Sequence, residues 1–182
     1  FFKNKRKCGI SSVRAGNVIG GGDWSANRLI PDSIRSLLDN KVIFLRNPNF
    51  NRPWQHVLEP LMGYLMLAKK QFLEPRKYSD AWNFGTKNNS VKSVKEIVDY
   101  MVSFWGSGKI KVNRINKFYE QKNLQLDINK VKKKLKWYPT YSVQKGVNIT
   151  TEWYFQVFKN KKDPSEVTNK QIIEYMNENN WR

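Results

Sequence analysis

Four polar residues of the sequence stand where an anion could be gripped: Asn17, Arg28, Arg46 and Arg52, each next to apolar anchors. An arginine fork donates two parallel, charge-assisted hydrogen bonds, which suits the oxygens of a phosphate. Arg28 precedes Leu29-Ile30-Pro31, which leads into a helix, while Arg46 and Arg52 bracket the turn after an apolar strand at Val42–Leu45. The residues alone leave two readings open. Either each arginine is an ordinary solvated side chain, or the four groups cluster around loops that follow strands, where α/β proteins hold ligands.

Other chemistries lack their residues. A dinucleotide fingerprint needs glycines that bring backbone amides at a helix N-terminus against a pyrophosphate. Gly20-Gly21-Gly22 is the one candidate, but Asp23-Trp24-Ser25 follows without the third glycine, and no acidic residue closes a second strand. No glycine is followed by Lys-Ser or Lys-Thr in the frame of a P-loop. The single His56 has no evident nucleophile beside it, so a hydrolase triad has little support. One Cys and one His leave no ligand set for structural zinc and no internal disulfide.

The elements that must carry these groups alternate between strand and helix. Residues 10–15 (ISSVRA) read as a short strand, followed by a glycine-rich loop over 16–22. Residues 32–40 read as part of a helix beginning near Leu29, and turns at Asn47-Pro48 and Asn51-Arg52-Pro53 flank the strand at Val42–Leu45. Leu61, Leu65, Ala68 and Phe72 give residues 59–72 helical apolar spacing, with Pro60 in a tolerated first-turn position. A strand is expected at 81–85. The clearest helix follows, with Val94, Ile97, Val98, Met101, Val102 and Trp105 on one face and a capping box of Ser93 and Glu96. Gly106 and Gly108 end it. Residues 110–115 then read as a strand and 128–135 as a short helix. A longer helix is expected after the cap Ser142, and a final one over 169–177 after the cap Thr168. Alternating elements argue for an α/β architecture.

The chain has 182 residues, of which 14% are aromatic, a composition that argues against global disorder. No apolar run approaches the roughly 20 residues that cross a bilayer, so no membrane partner is expected, and the reading is a cytoplasmic protein. Charge is the loudest feature, with 33 Lys and Arg against 15 Asp and Glu, or +18. Such a surplus suits a polyanion partner. Against that, 24 of the 33 basic residues are Lys and Asn numbers 20, a bias that AT-rich coding produces by itself. Nucleic acid is therefore not the expected partner.

Several blocks resemble a known family in order along the chain. They are Asn17-Val18-Ile19-Gly20-Gly21-Gly22-Asp23-Trp24, then Arg28-Leu29-Ile30-Pro31-Asp32, Arg46-Asn47-Pro48, and Arg52-Pro53-Trp54-Gln55-His56-Val57-Leu58-Glu59-Pro60-Leu61. Trp82-Asn83-Phe84-Gly85, Leu124-Gln125-Leu126-Asp127 and Leu135-Lys136-Trp137-Tyr138-Pro139 continue the match. The chain resembles the CDP-glucose 4,6-dehydratases, which are extended short-chain dehydrogenase/reductases of the NAD-dependent epimerase and dehydratase type.

The resemblance implies an α/β fold: the C-terminal part of an extended short-chain dehydrogenase, with the last Rossmann elements and the smaller nucleotide-sugar-binding domain. All of residues 1–182 would form this partial domain. The family's substrate is CDP-D-glucose and its cofactor NAD. Hydride leaves C4 for NAD, water is eliminated across C5 and C6, and the hydride returns at C6. By resemblance Asn17 contacts the sugar diphosphate, Arg28 and Leu29 meet the nucleotide side, Arg46 lies beside the cytidine and Arg52 binds the diphosphate. His56 and Glu59 are read as structural. A further phosphate-binding Arg of many relatives has no counterpart in Phe118-Tyr119-Glu120-Gln121-Lys122-Asn123.

By resemblance, the family's glycine-rich NAD loop and its catalytic Tyr-x-x-x-Lys pair would precede the first residue. The expectation is a fragment, a split gene product or a truncated frame that carries no catalytic residue and does not turn over alone. In the full-length family the enzyme is a homo-oligomer. Two alternatives remain: a basic nucleic-acid-binding protein, resting on the +18 charge, and another nucleotide-sugar epimerase or dehydratase.

Overall fold

The structure is a computed structural model that describes residues 8–87, 91–112 and 125–180. Eight short strands and seven α-helices are assigned among them. The strands are β1 (Ser12–Ala15), β2 (Asn17–Ile19), β3 (Val42–Leu45), β4 (Asn51–Arg52), β5 (Trp54–His56), β6 (Ala81–Phe84), β7 (Lys92–Ser93) and β8 (Lys109–Val112). The helices are α1 (Leu29–Leu38), α2 (Leu58–Leu73), α3 (Pro75–Tyr78), α4 (Val94–Trp105), α5 (Asn129–Leu135), α6 (Val143–Tyr154) and α7 (Pro164–Glu178), with a π-helical turn at Phe155–Lys159 extending α6.

The strands pair two by two. β1 runs parallel to β6, β2 to β5 and β3 to β8, while β4 lies antiparallel to β7. Residues 16–22 therefore do not form one loop as the sequence reading expected. At Gly16 the chain changes partners: the Gly16 N–H donates to the Phe84 carbonyl at 3.3 Å and the Asn17 N–H to the Pro53 carbonyl at 3.0 Å. A Cβ on Gly16 would stand 2.5 Å from the Pro53 oxygen. Only glycine lets the two backbones approach this closely, and β2 begins at the next residue. The turn expected at Asn51-Arg52-Pro53 is likewise partly strand, because β4 and β5 flank Pro53.

The main core lies between α1, β3, α4 and α6, with Ile34, Ile97, Val98, Met101, Val147 and Tyr154 fully buried in it. Each such apolar side chain contributes about 1.5–3 kcal/mol on leaving water. A second cluster joins Trp82 and Phe84 of β6 to Val131 and Leu135 of α5 and to Trp137. In α4 the capping box forms as read, since Glu96 N–H donates to Ser93 Oγ and the Glu96 carboxylate accepts from Ser93 N–H. Gly106 closes that helix in the left-handed region, at φ 84°.

Two helix readings are corrected. α2 exists, but Leu61, Leu65, Ala68 and Phe72 face out, Phe72 with 86% of its surface exposed. The buried face is Met62, Gly63 and Leu67. The Phe84 ring packs against Gly63, where any Cβ would collide with it, and that contact selects the face. The last helix starts at Pro164, with Asp163 as its cap accepting from Ser165 and Glu166 N–H. Thr168 lies inside it, its hydroxyl donating to the Pro164 carbonyl at 2.7 Å. The strand expected over 110–115 is seen as Lys109–Val112, and residues 113–115 lie outside the described residues.

Candidate functional site

The five residues singled out from the sequence come together. Asn17, Arg28, Leu29, Arg46 and Arg52 all line one cavity of about 470 Å³. A second cavity of about 450 Å³ shares Asn17, Asn27, Arg28, Leu29 and Trp54 with it and continues along β2 past Gly20 to Asp23. The walls follow from the fold. Asn17 opens β2 and lies opposite Trp54 of β5 in the parallel register. Leu29 starts α1, whose inner face (Ile30, Ile34, Leu37) is held by the main core. Arg46 follows the end of β3, and Arg52 ends β4.

Asn27 makes the turn into α1 in the left-handed region, at φ 63°, a conformation asparagine tolerates better than most residues. Its Oδ1 accepts from Arg46 Nη2 at 3.4 Å. Arg28 pairs with Asp23 at 3.6 Å, with 66% of its side chain exposed. Arg52 donates to the Asn51 carbonyl at 2.9 Å, and its guanidinium stands 5.4 Å from the centre of the Phe50 ring. The backbone N–H of Ser25, donating to the Asp23 carboxylate, holds that carboxyl below its usual range, and the nearby Arg28 and Arg35 cations add to this. Asp32, also on the cavity wall, is tied to Arg35. Three arginines thus border a space whose one lining carboxylate, Asp32, is already paired. An anion with spaced oxygens fits such a wall.

Sequence reasoning passed over Ser33, Phe50 and Trp54 as lining residues. Trp54 sat inside a quoted block, two residues from Arg52, the spacing that puts side chains on one side of an extended strand. Ser33 had no signal in the sequence beyond its place one turn after Leu29. The segment 118–123, where an additional phosphate-binding Arg was sought, lies outside the described residues.

The glycine triplet does not build a dinucleotide cradle. Gly20, Gly21 and Gly22 are followed by turn and coil before α1 begins at Leu29, so no helix N-terminus follows them directly. Gly21 instead backs onto the Trp153 ring, which occupies the space a Cβ would need. The triplet therefore offers no helix-terminal pyrophosphate site. His56 and Glu59 are almost wholly buried, away from both cavities. No cluster of His, Cys, Asp and Glu able to hold a metal occurs among the described residues, and none of their helices is long and apolar enough to cross a membrane.

The fold is mixed α/β and matches about half of each of several solved nucleotide-sugar 4,6-dehydratase and 4-epimerase structures. A dTDP-glucose 4,6-dehydratase from Bacillus anthracis, in complex with NAD, superposes with a TM-score of 0.65 at 21% identity, covering 84% of this chain and 48% of that one. A UDP-glucuronic acid 4-epimerase from Bacillus cereus, in complex with UDP-glucuronic acid and NAD, gives 0.66 at 19% identity, covering 80% and 45%. By sequence the chain is similar to the CDP-glucose 4,6-dehydratase of Salmonella typhimurium, at 40% identity over 169 residues, which is 92% of this chain and 47% of that protein. The chain thus spans about half the length of the curated relative it matches. No family model matches it.

Proposed function

We propose that the chain is the substrate-holding part of a nucleotide-sugar 4,6-dehydratase that converts CDP-D-glucose to CDP-4-dehydro-6-deoxy-D-glucose. One observation carries the reading: Asn17, Arg28, Leu29, Arg46 and Arg52 line a single cavity bordered by three arginines. The 40% identity to a CDP-glucose 4,6-dehydratase supports the choice of base and sugar.

In this reading Arg52 binds the diphosphate and Asn17 touches it from β2. Arg46, steadied by Asn27, lies beside the cytidine, and Arg28 and Leu29 meet the nucleotide from the start of α1. The role of this chain is to bind and orient. Most of the NAD site of the complete enzyme is contributed by polypeptide other than these residues, so the chain alone shows no turnover. Residues 1–182 then form a partial domain of a cytoplasmic homo-oligomer that makes precursors of surface polysaccharides.

Calorimetric titration tests this. CDP and CDP-glucose are titrated into the chain, alone and supplied with the stretch of the Salmonella typhimurium relative that it does not match. Saturable binding is expected, and Arg52→Ala should weaken it by about 1.5–3 kcal/mol, the worth of a charged hydrogen-bond partner. Absence of binding in both samples, or an Arg52→Ala affinity equal to wild type, defeats the reading.

A further inference from the structure

Two residues that line the cavity each carry a buried polar atom with no hydrogen-bond partner among the described residues. Trp54 is 6% exposed and Ser33 is 1% exposed, and both line the cavity together with Arg46 and Arg52. The Trp54 Nε1 and Ser33 Oγ atoms are buried with no hydrogen bond. Three other described side-chain atoms share that condition, on Gln55, His56 and Thr86, but none of those residues lines this cavity.

Folded proteins pair nearly all buried polar groups, because an unpaired donor loses its water without compensation. Two such atoms on residues that line one cavity therefore point to a bound group that satisfies them. An indole nitrogen only donates, so the group it meets is an acceptor. A hydroxyl follows either way by rotating. Trp54 stands opposite Asn17 in the β2–β5 register, and both residues line the cavity.

We propose that Trp54 Nε1–H and Ser33 Oγ–H donate hydrogen bonds to oxygen acceptors of the bound nucleotide and help to set its specificity. This rests on the reading that the cavity holds a nucleoside diphosphate. The acceptor is either a carbonyl of the pyrimidine base or an oxygen of the phosphate chain. Both present an sp²-like oxygen to a donor, and the ligand series below separates them. Arg46 and Arg52 supply charge attraction, which is tolerant of angle. The indole N–H is fixed by a buried ring and so discriminates by position.

The test uses the chain labelled with nitrogen-15, in whichever form binds CDP. The indole N–H signal of Trp54 is assigned by its loss in Trp54→Phe, and cytidine, CMP and CDP are added in turn. The signal should shift on saturation. A shift already complete with cytidine assigns the acceptor to the base, and one that needs CMP or CDP assigns it to phosphate. In calorimetry, Trp54→Phe and Ser33→Ala should each lower CDP affinity about threefold to tenfold, the range of one neutral hydrogen bond. Without ligand, Ser33→Ala should unfold at the same or a higher denaturant midpoint, since no protein hydrogen bond is lost. CDP binding with an unmoved Trp54 signal and wild-type affinity in both variants overturns this inference alone. A clear loss of stability in unliganded Ser33→Ala also overturns it for Ser33. Failure of the wild type to bind any nucleotide defeats the site reading beneath it.

Discussion

The Glu59 carboxylate accepts the backbone N–H of Tyr141 at 2.6 Å, joining the first turn of α2 to the loop that precedes α6. The Thr140 N–H adds a bond at 2.9 Å, and the Tyr175 hydroxyl donates from α7 at 3.2 Å. One buried side chain thus gathers three separate parts of the chain. Burial pushes the Glu59 pKa up, while the hydrogen bonds from Tyr141 and Thr140 act in the opposite direction.

Replacing Glu59 with Ala leaves two backbone N–H groups and a phenol without an acceptor. The expected cost is about 3 kcal/mol or more. Urea unfolding followed by circular dichroism measures it; a loss under about 1 kcal/mol would show that these groups find other partners.

His56 sets a pH dependence. Its ring is buried, and burial lowers its pKa from 6.5 to about 4. Between those values the unfolded chain binds more protons than the folded one, so stability falls as pH drops from 6.5 to 4. The loss across that window is on the order of 3 kcal/mol. Glu59, whose folded pKa is raised, contributes a slope of opposite sign just above its ordinary value. The difference between wild type and His56→Gln isolates the histidine. Unfolding free energies at half-unit pH steps should show a shallower acid decline in the variant, and parallel curves would refute the assignment.

Ser93 holds the N-terminus of α4 through the capping box. Ser93→Ala should cost about 1 kcal/mol. Because Glu96 is held down at about 2 by Lys92 and by the Ser93 hydrogen bonds, the stabilisation it gives is complete above pH 4.5 and declines as pH falls toward 2. Denaturant titrations of wild type and Ser93→Ala at pH 7 and pH 3 check both statements: the cost of the variant should be smaller at the lower pH.

Gly16→Ala places a methyl group against the Pro53 carbonyl, a backbone atom that has little room to give. Destabilisation of about 2 kcal/mol is expected from the forced backbone shift. The cavity wall beginning at Asn17 should move with it, so CDP affinity should fall as well. An unchanged unfolding midpoint would mean that the switch between β6 and β5 is looser than the structure shows.

The lysine surplus gives a further expectation. Among the described residues four lysines form ion pairs at helical spacing, Lys77 with Glu74, Lys92 with Glu96, Lys95 with Asp99 and Lys170 with Glu174, as expected of lysines that serve as ordinary solvated surface residues. Fluorescence anisotropy with duplex DNA should show no binding at physiological salt, and only weak binding that collapses as salt rises at low ionic strength. Tight binding that survives added salt would revive the nucleic-acid reading.

Much of this protein was legible without coordinates wherever local chemistry decides. The α4 helix was, because its apolar period, its Ser93–Glu96 box and its terminal Gly106 all act within one turn of chain. The strand at Val42–Leu45 was legible for the same reason, and Arg28, Arg46 and Arg52 could be singled out by residue type and near neighbours. The tertiary structure decided what depends on partners distant in sequence. α2 is apolar on both sides, so its period could not choose the buried face; the Phe84 ring against Gly63 chose it. β2 was hidden in a glycine-rich stretch because its strand character comes from pairing with β5, 37 residues away at Asn17 and Trp54. The shared cavity, and the unpartnered indole and hydroxyl on its wall, exist only because α1, β3 and β5 converge there, and no spacing along the chain encodes that convergence.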